Sequence, residues 1–431
     1  MLSTSRTSHV LLAVALSGSL LAACGGGGGD EANAADGGDV TLDVSLFGAM
    51  GFEEAGLLDA YEEQNPGVTI RYESTQEEAD YWTALQTRLR SGDVPDVVGL
   101  EVGRIADVTT NQADQYVDWA KTDHADQAQQ YVDWKREAAT TEDGRILGMG
   151  TDIGPMALCY RSDLLEQAGL PTDREELASR MSSWDDYVAL GEEFKAKAPK
   201  GTAWMDAASG FYNAMISTEE VIYYDESGEP VWDSNPAVRE AFDTAAKAGQ
   251  DGLTSKLAQF SPEWNKAFAS GNFATIACPA WMLGYIRGQA GDAAAGKWDV
   301  VTLPGGVGGN WGGSYLAVPE KSEAKEEATK LVAWLTAPEQ QEKIFVDLGS
   351  FPSNTEAIGQ VGDVTNEYFM DAPVGEILGK SSEAAPVQVI GINDGIYRTQ
   401  LSNALQSVEV NGVSAAEAWK KAGASIENQV G

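Results

Sequence analysis

Apolar and polar positions alternate from residue 40 onward. Val40, Leu42, Val44 and Leu46 alternate with Thr41, Asp43 and Ser45, the period of a strand with one buried face. Glu53 to Gln64 then reads as a helix stopped by Asn65-Pro66-Gly67, and Val68 to Tyr72 reads as a second strand. Tyr81, Leu85 and Leu89 recur at helical spacing, Ser91-Gly92-Asp93 ends that helix, and Asp96 to Leu100 is a short buried strand. The order βαβαβ predicts a parallel sheet with right-handed crossovers, so ligand should collect beyond the carboxyl ends of the strands. Phe47-Gly48, Ser74 to Gln76 and Glu101 to Arg104 occupy those ends. Downstream, Ser322 is expected to cap a helix through Leu335, Pro338 to Leu348 another closed by Gly349, and Ala415 to Ala422 part of a last helix. The pentapeptide QYVDW occurs at 115–119 and 130–134; its spacing suggests a duplication within a helical insert, with Trp119 and Trp134 used for packing.

The first forty residues follow a different logic. Arg6 precedes an apolar run from Val10 to Ala23 that is interrupted by Ser17, Gly18 and Ser19. A membrane-spanning helix needs about 20 consecutive apolar residues. The run is therefore expected to be an export signal, residues 1–23. Leu21-Ala22-Ala23-Cys24 resembles a bacterial lipobox, which implies lipidation of Cys24 and attachment to the outer face of the cell membrane. Gly25 to Gly29 and the polar residues to Asp39 cannot build a core and are expected to form a flexible tether, residues 24–39.

Length and charge narrow the rest. A chain of 431 residues exceeds one ordinary hydrophobic core and predicts two lobes, and no later run is long enough to span a membrane. A formal charge of −37 argues against nucleic acid as a partner. His9 and His124 are the two histidines, too few for a zinc cluster built on His and Cys, and no metal or cofactor is expected. Cys159 and Cys278 either pair in an exported protein or remain two buried thiols; both alternatives are open. The P-loop-like stretch Gly291 to Lys297 has Trp298 where a hydroxyl should bind magnesium, Ser322 to Lys325 fits S-x-x-K without its K-T-G partner, and G-x-S-x-G is absent. With 66 acidic residues, a carboxylate pair for glycoside hydrolysis stays open as an alternative function.

Tryptophan is the positive signal. The chain has 12, several beside glycine or proline. Indole faces stack on the C–H faces of sugar rings, while acids, amides and guanidinium groups satisfy the hydroxyls.

Three segments carry a family resemblance: GNFATIACPAWMLGYI (271–286), VVTLPGGVGGNWGGSYLAVPEKSE (300–323) and WLTAPEQQEKIF (334–345). TDIGPMALCYRSDLLEQAGLPTDREE (151–176) and Ser183-Trp184-Asp185-Asp186-Tyr187 extend it. Together they resemble the carbohydrate-binding, extracellular solute-binding proteins of bacterial ABC importers, the family of maltose-binding protein. The style is that of actinobacterial binders of cellobiose and related oligosaccharides. The resemblance implies an α/β, two-lobed periplasmic-binding-protein fold (type II) with hinge crossovers near Asp152–Ala157, near Gly312–Ala317 and in the 360s or 370s. It assigns 40–153 with 313–365 to one lobe and 154–312 with 366–431 to the other. It implies a monomer that has no catalytic residue and that hands a di- or oligosaccharide to a permease served by a separate ATPase. Another solute is the remaining alternative. Trp281 and Trp311 are the expected stacking residues, Asp152 and Glu101 the expected hydroxyl partners, and Tyr212, Trp264 and Asp394 further candidates. The family often has an aspartate or aromatic residue where this chain has Glu101-Val-Gly-Arg104.

Overall fold

Residues 39–430 are described by the computed structural model; the expected signal segment, Cys24 and the expected tether up to residue 38 lie outside them. Strands β1 (Val40–Phe47), β2 (Val68–Thr75) and β3 (Val97–Glu101) pair in parallel with β1 central. Leu42, Val44 and Leu46 are buried on one face of β1, as their alternation requires. The helix Glu78–Ser91 covers the other face, ends on Gly92 and is held by Leu85, Leu89 and Tyr81, whose hydroxyl accepts from Gly99 N–H and lies within donating distance of the Ser45 carbonyl at 2.9 Å. Strands β4 (Met149–Gly150) and β10 (Ser314–Ala317) complete a five-stranded sheet of order β2-β1-β3-β10-β4, with β10 antiparallel to both its neighbours.

A second, four-stranded sheet has the order β7-β8-β6-β9, built from β6 (Met156–Arg161), β7 (Ala203–Met205), β8 (Phe273–Pro279) and β9 (Trp298–Val301). Every residue of β6 and β8 is buried, because apolar clusters cover both faces: Leu158 and Tyr160 face one, Ala157 and Cys159 the other. Cys159 and Cys278 form a disulfide between these two strands.

The chain leaves the first sheet at β4 and enters the second at β6, and it returns between β9 and β10. At the junction β5 (Asp152–Ile153) pairs antiparallel with β11 (Phe351–Pro352). The two crossing segments are also joined, since Trp311 N–H donates to the Gly154 carbonyl at 2.8 Å. A Cβ on Gly154 would lie 2.0 Å from the Trp311 carbonyl oxygen, and Gly313 has φ +110°, so backbone meets backbone here without side chains.

Three expectations need correction. The first helix begins at Leu57, after a turn that starts near Gly51 and ends on left-handed Gly56. Ser322 donates to Asp96 at 2.6 Å and accepts from Ala324 N–H, and the helix itself starts at Lys325. The QYVDW copies do not share one helix. In each, the Tyr-Val pair is extended and docks on another segment: Tyr116 bridges Pro319 with Val117 N–H on the Val318 carbonyl, and Tyr131 bridges Asn354 with Val132 N–H on the Ser353 carbonyl. Asp-Trp then opens a helical turn, at Trp119–Lys121 and at Asp133–Ala138. The repeat is one docking unit used twice, because an alternating Tyr-Val edge gains more from pairing with an incoming strand than from continuing a helix. Trp119 is fully buried and Trp134 partly so.

Candidate functional site

Between the two sheets lies a cleft of about 420 Å³, within the range of small-molecule sites. From the first lobe it receives Phe47 and Gly48 at the end of β1, Gln76 to Glu78 after β2, and Glu101 and Arg104 after β3. These are the carboxyl-end loops that the βαβαβ reading singled out. Asp152, Trp311, Gly313 and Ser314 enter from the crossings, and the second lobe supplies Ser209, Asn213, Gln259, Phe260, Trp281 and one face of the helix Asp394–Asn411.

Trp281 follows β8 directly and is half-buried at the start of the helix Met282–Ala290. Its indole N–H donates to the Trp311 carbonyl at 3.0 Å, and the two rings stand 5.9 Å apart at 84°. They form a right-angled, largely apolar corner in which the Trp281 N–H is already satisfied. Phe260 adds a third ring, 6.4 Å from Trp281 and only 28° from parallel. Its φ of +66° is left-handed, a conformation that costs a non-glycine residue about 1–3 kcal/mol.

The polar groups are held in place by the chain. Asp152 accepts from Ser314 N–H at 2.9 Å and from the Thr151 hydroxyl at 2.7 Å. Burial pushes its carboxyl up, against the pull of Lys135 behind it. Lys135 is fully buried, its ammonium lies 3.9 Å from the centre of the Tyr315 ring, and desolvation lowers its pKa to about 8. Glu101 accepts from Gly103 N–H at 2.6 Å and faces Arg398, which reaches it from the opposite lobe at 3.5 Å. Arg104 is taken by two hydrogen bonds of 3.0 Å to Glu78. Glu409, nearly buried, accepts from Ala208 N–H at 3.0 Å, and burial raises its pKa to about 7. Such a site presents fixed acceptors and amides beside flat apolar faces, which suits a hydroxyl-rich ligand. Among the described residues no group of His, Cys, Asp and Glu is placed to hold a metal ion.

Trp281, Trp311, Asp152 and Glu101 all border this cleft. Tyr212, Trp264 and Asp394 do not. Tyr212 is buried with its hydroxyl 3.2 Å from that of Tyr223. Trp264 is buried with its N–H on Asp206 at 3.0 Å. Asp394 accepts from Gly391 N–H at 2.8 Å as it opens its helix, and it is the next residues on that helix that reach the cleft. The sequence reasoning missed Phe260, Gln259, Glu409 and the stripe Arg398, Ser402 and Gln406. The stripe has the four-residue spacing of one helix face, but a polar face reads as solvated until something packs opposite it.

Two sheets joined by crossing strands around a ligand-sized cleft define a two-lobed binding protein. Residues 56–368 match the model of the bacterial extracellular solute-binding protein family. The chain belongs to that family, whose members are the substrate-binding proteins of ABC transporters and not enzymes. The crystal structure of an extracellular solute-binding protein of family 1 is 40% identical, with a TM-score of 0.74 over 90% of this chain and 99% of the other. A lactose-binding protein of Rhizobium radiobacter is 28% identical over 276 residues, 62% of this chain; the match spans 63% of that relative's length. A maltooligosaccharide ABC transporter solute-binding lipoprotein of Streptococcus pneumoniae is 24% identical over 370 residues, 82% of this chain and 81% of the other.

Proposed function

We propose that this protein captures a di- or oligosaccharide, of the cellobiose and cello-oligosaccharide class, in the interlobe cleft and delivers it to the permease of an ABC importer. The observation that carries this reading is the right-angled Trp281–Trp311 corner beside fixed carboxylates and amides. The relatives named for lactose and maltooligosaccharide support the di- or oligosaccharide part of this reading. One lobe receives the sugar, and closure lets the other complete its hydroxyl partners; a preference of a few kcal/mol for the closed form shifts the population enough to signal the permease. We assign residues 40–153 with 313–365 to one moving body and 154–312 with 366–431 to the other. Cys24 anchors the protein by lipid at the outer face of the cell membrane, a reading supported by the lipobox-like Leu21-Ala22-Ala23-Cys24 and by the lipoprotein relative. It acts as a monomer, and a separate ATPase drives the permease.

Calorimetric titration with cellobiose, cellotriose, lactose, maltose, xylobiose and glucose tests the assignment. Saturable heat with an intact β-1,4-linked glucose oligomer, at a dissociation constant near micromolar or about −8.2 kcal/mol, is expected. Heat with lactose or maltose alone would replace the cello-oligosaccharide class, and silence across the panel would overturn the sugar reading. For the anchor, Cys24→Ala should move the protein from the membrane fraction to the medium.

A further inference from the structure

Phe260 occupies a backbone conformation that glycine would adopt without strain. It precedes Ser261, which caps the helix Pro262–Ser270 by accepting from Trp264 N–H at 3.2 Å, and Pro262 holds Ser261 extended. The reversal therefore falls on residue 260, whose φ is +66°. The neighbouring residue fastens the loop: Gln259 donates to Asp206 at 2.8 Å and accepts from the Ser209 hydroxyl at 3.1 Å. A strained residue held this firmly, in a wall of the cleft, points to a use for its side chain.

The ring is set on two aromatic supports. Tyr285 meets it edge-on at 5.9 Å and 89°, and Trp264 lies 5.1 Å away. So held, its ring centre lies 6.4 Å from that of Trp281 with the two planes 28° apart, so both flat faces border one stretch of the cleft. Trp311 stands at 84° to Trp281, 5.9 Å away. Accepting the sugar reading above, we infer that Phe260 is a second stacking platform, so that Trp281 and Phe260 together take two consecutive pyranose units and the cleft selects a disaccharide or longer chain over a monosaccharide.

Calorimetry and thermal melting of the full chain test this with Phe260→Leu, Phe260→Tyr and Phe260→Gly, using cellobiose, lactose and glucose as probes. Leucine keeps apolar bulk but no flat face; tyrosine keeps the face; glycine removes the ring and the strain together. The wild type should bind one disaccharide at least about tenfold more tightly than glucose, and Phe260→Leu should weaken that disaccharide about tenfold and narrow the gap to glucose. Phe260→Tyr should stay within about twofold, and Phe260→Gly should lose affinity, its unliganded melting temperature reporting the balance between relieved left-handed strain and lost packing of the ring. Disaccharide binding that is unchanged in Phe260→Leu overturns the inference and leaves the sugar reading standing. So does a Phe260→Gly protein that melts lower and binds normally, which would make the ring a packing element. Wild-type silence with all three probes overturns the platform, whereas the wider panel above decides the sugar reading.

Discussion

At the scale of single residues, the cleft separates groups that face ligand from groups that hold the wall. Trp281 has its N–H committed to the Trp311 carbonyl, so what remains for a ligand is its face. Trp281→Ala is expected to weaken sugar binding by about tenfold or more, on the order of 1.4 kcal/mol, with a smaller loss of stability because the ring is only half-buried; titration and melting of the same sample measure both. Glu409 makes a pH prediction. Its carboxyl titrates near 7 when folded against an ordinary 4.5, so between these values the folded state keeps a proton that the unfolded chain has lost. Stability present below about pH 4.5 is therefore lost as pH rises through 7. Glu409→Gln removes that loss and should melt higher than the wild type at pH 8, by on the order of 2–3 kcal/mol, and equal to it at pH 4. Asp206 and Asp394, raised by burial to about 6 and about 7, act in the same direction. The candidates Tyr212 and Trp264 show why aromatic residues mislead when read one at a time. Each sits on a helix whose apolar side could face either the core or the cleft, and only neighbouring elements decide which.

At the scale of elements, the two central strands of the second sheet carry its disulfide. Cys159 and Cys278 close a loop of sequence separation 119, so cross-linking restricts the unfolded chain strongly. Replacing both by alanine should lower unfolding free energy by about 2–5 kcal/mol in urea titration while leaving sugar affinity within about twofold, since both sulfurs face a core cluster away from the cleft. Strands β1 to β3 and the helix Pro338–Leu348 were legible because periodicity and a glycine stop coincide there. The QYVDW segments were not, because a short Tyr-Val edge fits a helix face or a strand equally well, and the choice falls to the strand that arrives from Pro319 or Asn354.

At the scale of the whole molecule, the lobes meet at more than their crossing strands. Arg398 reaches Glu101 across the cleft, and the segment before its helix lays Val389 on the core of the second lobe and Ile390 on that of the first. A ligand bound between them is therefore expected to stabilise both together: at a hundred times its dissociation constant it should add about 2.7 kcal/mol and raise a single melting transition, whereas two separating transitions would show lobes that unfold independently. By itself the sequence determined the parallel βαβαβ start and the loops at its strand ends, because these depend on contacts within tens of residues and on patterns of period two or 3.6, whereas Trp281 stood out through the family resemblance of the segment that holds it. The tertiary structure alone decided that Cys159 meets Cys278, that Phe260 borders the cleft, and that the polar face of the helix Asp394–Asn411 lines it. The disulfide and the helix face depend on which distant segment packs opposite, and hydrophobic pattern carries no record of a partner 100 or more residues away; the bend at Phe260 is set nearby, by the Ser261-Pro262 cap and the rings of Trp264 and Tyr285, which periodicity does not register.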